Sequence, residues 1–450
     1  MEGFHIISLS VNGIKTLDKE IKLSFYKKTI SASPDFQNYN IKGIYGTNGS
    51  GKTAIVSAVK IFKSIMINPN YMRSDLNQQK LRELINKSTK TLSIEVEFLV
   101  ELTDEKSYLY RYRVNVALDE MNAFGIRYEK LERKNATSRS VDYSALFEIE
   151  EGRINLLNMA ENSMREMVIS KTANLLEKSS FCSLFCTTLL RDKKVFSLHD
   201  KTTMGCVVLF LFSNSLYTYL DDKDQHDDYI LNELLIKFSR DKQITTTIKQ
   251  IKSFCSENDF SIVEGRNVVK EEQYEAFISQ VKQLEQFISI FKSELQRIDV
   301  DGTKNNDEYI CRIILQYDGY SIDSEFESTG IKKLIRLHQY IQKMCSGNVV
   351  FIDELDANLH DVYLCALLEY LSEYAKGQLC FTSHNIGPMR VLRHKKKSID
   401  FLSEDKSIYS WSTSGNYSPT DLYMGGMIKG SPFNVDLTDF IGVFESEGET

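Results

Sequence analysis

The chain has 450 residues, of which 42% are hydrophobic and 26% charged, a composition typical of globular proteins with a sizeable core. Its formal net charge of −7 excludes a globally basic surface, so the charge does not indicate nucleic acid as a partner. The eight cysteines are scattered, and the longest apolar run, Cys206–Phe212, is too short to cross a bilayer. Since the opening segment also lacks the pattern of a signal peptide, we expect a cytoplasmic protein.

Residues 1–144 predict strands on both sides of a glycine-rich loop. Two segments that alternate apolar and polar residues flank Asn12 and Gly13, and a short β-rich run then stops at Gly46. Apolar residues at helical spacing follow, from Ile55 to Ile65. Segments with period two at 91–102 and 108–118 then indicate an antiparallel sheet. Strand, glycine loop and helix is the order of elements that a phosphate-binding loop requires.

The loop itself matches the pattern G-x-x-x-x-G-K-[ST] over GTNGSGKT, Gly46–Thr53. Its glycines allow consecutive backbone N–H groups to converge on phosphate oxygens at a helix N-terminus. Lys52 would place its charge on the β- and γ-phosphate oxygens, and the Thr53 hydroxyl would ligate Mg²⁺. The predicted nucleotide-binding residues of the loop are Asn48, Gly49, Ser50, Gly51, Lys52 and Thr53.

Residues 145–307 are predicted to form a mainly helical insert. Apolar residues spaced by three and four from Tyr274 to Ile298 predict one long amphipathic helix. It could be half of a short antiparallel arm, but a bundle helix is favoured. Cys182 and Cys186 have helical i,i+4 spacing, for which core packing is favoured over a zinc site.

Two acidic motifs in the same region mimic parts of a two-metal nuclease site. These are Glu264, followed by glycine, and the pair Asp299 and Asp301. The predicted helix fills most of the gap between them and leaves no room for the intervening strands. We therefore expect Glu264 in a turn and Asp299–Gly302 at the end of the helix, without a nuclease.

Residues 308–450 return to an α/β pattern. A mainly apolar strand ends in Asp353 and Glu354, which places two carboxylates at the carboxyl end of a buried strand, beside the glycine loop. Asp353 would hold Mg²⁺ through water, and Glu354 would orient and deprotonate the attacking water. At the end of the next strand, in QLCFTSHN, His384 suits a γ-phosphate sensor. The predicted catalytic residues are thus Lys52, Glu354 and His384.

The glycine loop, FIDELD…LH and TSHN, in this order, resemble the ATP-binding-cassette-type ATPase heads of the RecF/SMC/OLD-like group. The resemblance covers roughly residues 1–135 and 308–435. It implies an α/β P-loop NTPase fold of two lobes, split by the insert. It also implies ATP and Mg²⁺ as cofactors, hydrolysis of ATP, and a dimer that sandwiches the nucleotide.

In such a dimer each site is completed by a signature motif from the other subunit. EFESTGIKKLIRL resembles the E-S-x-G form of this motif. Ser328 and the N–H groups near Gly330 would then bind the γ-phosphate held by the other subunit, and Asp356 fits the family's D-loop across the same interface. The double glycine of transporter cassettes is absent. Gln78 and Gln79 are candidates for the family's Q-loop by position only.

The resemblance further implies a homodimer or higher oligomer and a separate effector, a nuclease or toxin. Compact ATPases of this kind look like the ATPase subunits of anti-phage systems such as Septu or PARIS. Two alternatives stay open: a nucleotide-gated scaffold with negligible turnover, and DNA maintenance in the manner of RecF. The one dense basic run, Arg393–Lys397, is more typical of a solvated loop than of a nucleic-acid contact.

Overall fold

In a computed structural model of the chain, the described residues are 3–31, 34–101, 107–138, 142–187, 200–220, 261–412, 417–429 and 431. In the first part of the chain the strands and α-helices are β1 Phe4–Asn12, β2 Ile21–Ser24, β3 Ile41–Tyr45, α1 Lys52–Ile67, α2 Asp75–Leu84, β4 Thr91–Glu101, β5 Ser107–Leu118, β6 Phe124–Asn135, β7 Ser144–Glu150 and β8 Arg153–Leu157.

The described elements of the middle part are α3 Asn162–Thr172, α4 Phe181–Thr187, α5 Lys201–Asn214, β9 Leu216–Tyr219, β10 Asn267–Lys270, α6 Tyr274–Phe291 and β11 Arg297–Asn305. The last part contains β12 Glu308–Tyr317, β13 Tyr320–Asp323, α7 Thr329–Cys345, β14 Val349–Ile352, α8 Asp361–Tyr374, β15 Gln378–Thr382, α9 Gly387–Leu392, β16 Ile399–Leu402, β17 Ile408–Ser410 and α10 Pro419–Met424.

The central sheet has six strands in the order β17-β16-β3-β15-β14-β9. All neighbours pair in parallel except β16 and β17. Every residue of β3, β14, β15 and β16 is buried, as expected for parallel strands covered on both faces. Because parallel strands end at one edge, the segments that follow β3, β14 and β15 meet there. This edge positions the candidate site.

A second sheet of seven antiparallel strands, β2-β1-β4-β5-β6-β7-β8, encloses α1, α4 and α5 against the central sheet. Aromatic contacts join these layers: the ring of Phe98 in β4 stacks on Phe212 in α5 with centroids 3.9 Å apart. The predicted antiparallel sheet is confirmed and is larger than expected. Strands β7 and β8 extend it to Leu157, because FEIEEGRINLL also alternates apolar and polar residues.

The third sheet is made of β10, β12 and β11, with β13 paired to β12, and α6 and α7 cover it. Helix α6 therefore packs on a sheet, neither in a bundle nor in an arm, which corrects the expectation. It ends at Phe291, not at Ile298. Leu295 and Ile298 follow the helix but are buried in the same core, which explains why the apolar spacing continues past the helix end.

The described residues of 145–307 contain four α-helices, but they also contribute strands to all three sheets, which the prediction of a mainly helical insert did not include. In particular, β9 pairs in parallel with β14, from Leu216 beside Val349 to Tyr219 beside Ile352. Such a four-residue apolar strand directly after a buried helix carries no pattern of its own. The division of the chain into units 1–144, 145–307 and 308–450 stays a prediction. No helix among the described residues could span a membrane.

Candidate functional site

The glycine loop joins β3 to α1, as its pattern predicts. Gly49 and Gly51 adopt left-handed conformations, with φ of +76° and +113°. A Cβ on Gly51 would lie 2.6 Å from Leu17 Cδ2, and one on Gly46 would lie 2.3 Å from the carbonyl oxygen of Leu402. Glycine is therefore required at Gly51 by its backbone conformation, and at both Gly46 and Gly51 by the lack of space for a Cβ. The loop curls tightly into the N-terminus of α1, which begins at Lys52.

Lys52 is buried, and its Nζ donates to the carbonyl oxygens of Gly46 and Thr47 at 2.7 and 3.0 Å. Burial lowers the pKa of this lysine, while the charges of Asp353, Glu354 and Asp356 act in the opposite direction. The ammonium thus lies over the loop and within electrostatic reach of the acids, as the predicted phosphate contact needs.

Two donors hold the loop from outside. The Thr16 hydroxyl donates to the carbonyl oxygen of Gly49 at 3.3 Å. Lys406, in the turn between β16 and β17, donates through Nζ to the carbonyls of Gly49 and Ser50 at 3.2 and 3.3 Å. Asn48 and Gly49 remain exposed at the crown of the loop, while the Ser50 hydroxyl is buried with no hydrogen-bond partner among the described residues. These contacts fix the peptide planes around the space where an anion would lie.

The segment after β14, residues 353–358, is here named the acidic turn. The carboxylate of Asp353 is buried, and its Oδ1 accepts a hydrogen bond of 2.6 Å from the Thr382 hydroxyl. The same hydroxyl accepts from the backbone N–H of Glu354 at 2.8 Å. Glu354 itself is exposed and has φ of +48°, a conformation that is unfavourable for a residue with a Cβ. Thr382, at the end of β15, therefore holds both acids in place.

Asp356 connects the acidic turn to the segment that carries His384. Its Oδ2 accepts from the backbone N–H groups of His384 and Asn385 at 3.2 and 3.0 Å. Its Oδ1 is buried without a hydrogen-bond partner among the described residues. The imidazole of His384 is exposed beside the acids. The Asp356 carboxylate thus braces a loop of its own chain, and its predicted role across a dimer interface stays a prediction.

The predicted signature motif lies at the start of α7. Ser328 caps this helix, and its hydroxyl accepts from the N–H of Ile331 at 3.4 Å. Glu327 is held by the Tyr317 hydroxyl at 2.6 Å and by the N–H of Ser328 at 2.8 Å. Ser328 is exposed, and a Cβ on Gly330 would lie 3.0 Å from the carbonyl oxygen of Asn358. The helix N-terminus therefore faces solvent next to the acidic turn.

Sequence reasoning missed two lysines at this edge. Lys333 of α7 is buried, and its Nζ donates to the carbonyl oxygen of Glu354 at 2.5 Å. Burial lowers its pKa to about 8, although Asp356, Glu354 and Asp353 raise it. Burial likewise lowers the pKa of Lys15, in the segment between β1 and β2, against the charge of Asp353. With Lys52, three lysines therefore lie within electrostatic reach of the acidic turn.

Other predicted positions are explained by packing. The amide of Gln78, a Q-loop candidate, donates to the carbonyls of Met72 and Phe124 at 2.7 and 2.9 Å and accepts from the N–H of Phe124 at 2.8 Å. The amide of Gln78 therefore joins α2 to β6, and these hydrogen bonds account for its position. Gln79 is exposed. Cys182 and Cys186 are buried core residues, as favoured, and both thiols donate to the carbonyl oxygen of Cys206.

The acidic motifs of the middle region form no metal site. Glu264 lies in a bend, as expected, and pairs with Arg336. Asp299 and Asp301 lie in β11, so their placement at a helix end is wrong, and Asp301 pairs with Arg312 at 2.6 Å. Among the residues described, no group of three or more His, Cys, Asp or Glu side chains could hold a metal by itself.

No protein-family model matches the sequence, and no curated protein matches it. Among solved structures, the chain is similar to an Smc head domain with an extended coiled coil from Pyrococcus furiosus, bound to the C-terminal domain of ScpA. The identity is 16%, over 91% of this chain and 96% of that chain, with a TM-score of 0.41. An Smc head with coiled coil and joint from Pyrococcus yayanosii matches at 12% identity over 91% and 97%, with a TM-score of 0.42.

A third similar structure is the recombination mediator protein RecF, in a complex named RecF-ATPrS. The identity is 10%, over 91% of this chain and 99% of that chain, with a TM-score of 0.37. Similarities of this size leave the activity of the present chain to be inferred from its own residues.

Proposed function

We propose that this chain is an ATPase, which binds ATP with Mg²⁺ and hydrolyses it to ADP and phosphate. One observation carries the proposal: three neighbouring parallel strands end at one edge of the central sheet. There β3 leads into the glycine loop, β14 into the acidic turn, and β15 into the segment of His384. A phosphate cradle, a buried cation, a metal ligand and a general base are the parts that phosphoryl transfer to water needs.

Each residue then has a role that its position supports. The loop from Asn48 to Thr53 would bind the phosphates, and Lys52 would turn its ammonium from the loop carbonyls to the β- and γ-phosphate oxygens. Glu354, fixed in its backbone but with an exposed side chain, would take the proton from the attacking water. His384 would donate a hydrogen bond to the γ-phosphate, whose bond to ADP breaks.

The donor set fits magnesium. The Thr53 hydroxyl, and the Asp353 carboxylate through water, would supply hard oxygen donors. The part of the chain that the structure describes offers no cluster of three or more His, Cys, Asp or Glu around them, as is usual where phosphates and waters complete the coordination. Bound there, Mg²⁺ would supply positive charge to the phosphate oxygens. Asp353 is held for this role by Thr382.

We further propose that the complete site needs two chains. Ser328 is exposed and Gly330 half-buried at the N-terminus of α7, where an anion is favoured. In a head-to-head dimer they would bind the γ-phosphate held by the other copy. Closing and opening of this sandwich would regulate a separate effector, a nuclease or toxin, by analogy with Septu- or PARIS-like systems.

A second function, a scaffold that binds ATP but turns it over negligibly, is favoured by one feature: the signature STGIK lacks the double glycine of transporter cassettes. Phosphate release from ATP by the purified chain separates the two functions. The ATPase predicts release that requires Mg²⁺ and is saturable in ATP, whereas the scaffold predicts tight binding without release. Absence of ATP binding would contradict both. DNA maintenance is disfavoured by the net charge of −7.

A further inference from the structure

Helix α7 contacts the acidic turn at two points. The backbone of Gly330 approaches the carbonyl oxygen of Asn358 so closely that an added Cβ would lie 3.0 Å from it. One helical turn further, the Nζ of Lys333 donates to the carbonyl oxygen of Glu354 at 2.5 Å. Both contacts involve the first five residues of α7, at the end that Ser328 caps. A displacement of the acidic turn would therefore reach this end of the helix directly.

Lys333 occupies a position that packing alone would fill with an apolar residue. It belongs to a helical stripe with Leu337, Tyr340 and Met344, which are all buried. An ammonium in such a place is costly unless opposite charges and hydrogen bonds compensate it. The Glu354 carbonyl and the nearby carboxylates of the acidic turn provide this compensation. The placement of Lys333 thus depends on the charge and position of that turn.

We propose that Lys333 is a positioning residue, which couples the state of the acidic turn to the Ser328 end of α7. The inference rests on the proposed function, since the phosphates and metal of a bound nucleotide would change the charge around the acids. The Lys333 ammonium shifts in response to this change in charge, and α7 moves with it. Its N-terminus is thereby set to receive the γ-phosphate held by a second copy. Lys333 touches no reacting atom in this scheme.

Hydrogen–deuterium exchange on the full chain tests the coupling, with and without ATP and Mg²⁺. In the wild type, ATP should slow exchange both in 46–57 and in 324–336. In Lys333→Met, 46–57 should still be protected, while the slowing in 324–336 falls by about fivefold or more. Lys333→Arg keeps the charge and the donor and should restore much of the response. Lys376→Met, which removes an exposed lysine between α8 and β15, is the matched control and should respond as the wild type does.

Turnover supplies a second readout, because a positioning role predicts a lower kcat at nearly unchanged KM in Lys333→Met. If ATP does not slow exchange in 46–57 of the wild type, the proposed function itself is overturned. The coupling alone would be overturned if ATP protects 46–57 but changes exchange in 324–336 equally in the wild type and Lys333→Met. It would also be overturned if ATP protects 46–57 and changes exchange in 324–336 in neither protein. Should Lys333→Met not fold, Lys333→Gln and Lys333→Arg decide: a wild-type response in both contradicts the proposal, and a response only in the arginine variant supports it.

Discussion

The Thr382 hydroxyl donates to Asp353 Oδ1 at 2.6 Å and accepts from the N–H of Glu354 at 2.8 Å, so one side chain of β15 holds both acids that follow β14. We expect Thr382→Val to leave a buried carboxylate and an N–H group without this partner. The free energy of unfolding should fall by about 1–3 kcal/mol, and ATP turnover should fall more than ATP affinity. Denaturant unfolding and phosphate release measure the two effects.

Thr420→Val is the matched control for this variant. Thr420 is equally buried, but its hydroxyl has no hydrogen-bond partner among the described residues, so the isosteric change removes no hydrogen bond. Its stability and turnover should stay close to those of the wild type. Equal behaviour of the two valine variants would show that the Thr382 bridge does not hold the acids.

Glu354→Gln tests the general base. Glutamine keeps the size and the backbone position of this residue but cannot accept the proton from water. We expect ATP to be bound with wild-type affinity and turnover to fall by about 100-fold or more. If each site is shared, the variant should accumulate as an ATP-bound dimer in size-exclusion chromatography. Turnover at the wild-type rate would exclude Glu354 as the base.

Complementation tests whether a site is built from two chains. Ser328→Arg should block the exposed N-terminus of α7, and Lys52→Ala should block the glycine loop, so each variant alone should be inactive. A mixed dimer would contain one site with both motifs intact. We expect the mixture to recover up to about a quarter of the wild-type turnover if chains pair at random. A mixture as inactive as its components would contradict a shared site.

The buried carboxyl group of Glu129 should make the free energy of unfolding depend on pH, whether or not nucleotide is bound. This carboxyl group of β6 is fully buried and accepts hydrogen bonds from Tyr112, Ser180 and the N–H of Phe181 at 2.8 to 2.9 Å. Burial raises its pKa to about 7, against the hydrogen bonds, which lower it. Because the folded-state pKa lies above that of the unfolded chain, the stabilisation is present at low pH and is lost as pH rises through 7.

We expect the free energy of unfolding to fall by up to about 3 kcal/mol between pH 4.5 and 8 from this group alone. Glu129→Gln should remove that part of the pH dependence, as measured by denaturant unfolding at several pH values. Glu132→Gln, on the same strand but in contact with Lys130 and partly exposed, is the control and should keep it. A slope unchanged by Glu129→Gln would mean that another group titrates.

The sequence was most informative where one residue type meets a strict requirement. Gly51 must be glycine because its φ is positive and because a Cβ there would clash with Leu17. The order of strand, loop and helix around it follows from the local sequence pattern. Lys333 was missed although a signal exists: a lysine three residues after Gly330 falls in the apolar stripe of α7. Lys15 carries no such signal, because its approach to Asp353 depends on how the seven-stranded sheet packs against the central one.

The errors in the middle of the chain have a similar physical origin. Leu295 and Ile298 continue the apolar spacing of α6 because the loop and strand after it turn back onto the same core. Strand β9 is defined by its parallel partner β14, which lies more than a hundred residues away in the sequence. Periodicity reports which residues are buried, but not whether the chain between them continues as a helix.

Titration of the purified chain with ATP and Mg²⁺, by calorimetry or with a fluorescent ATP analogue, addresses the glycine loop itself. The wild type should bind nucleotide, and Lys52→Ala should lose about 100-fold or more in affinity, because the buried ammonium that we propose contacts the phosphates is gone. Lys376→Met should bind as the wild type does. Equal affinity of wild type and Lys52→Ala, or no binding by the wild type, would contradict nucleotide binding at Gly46–Thr53.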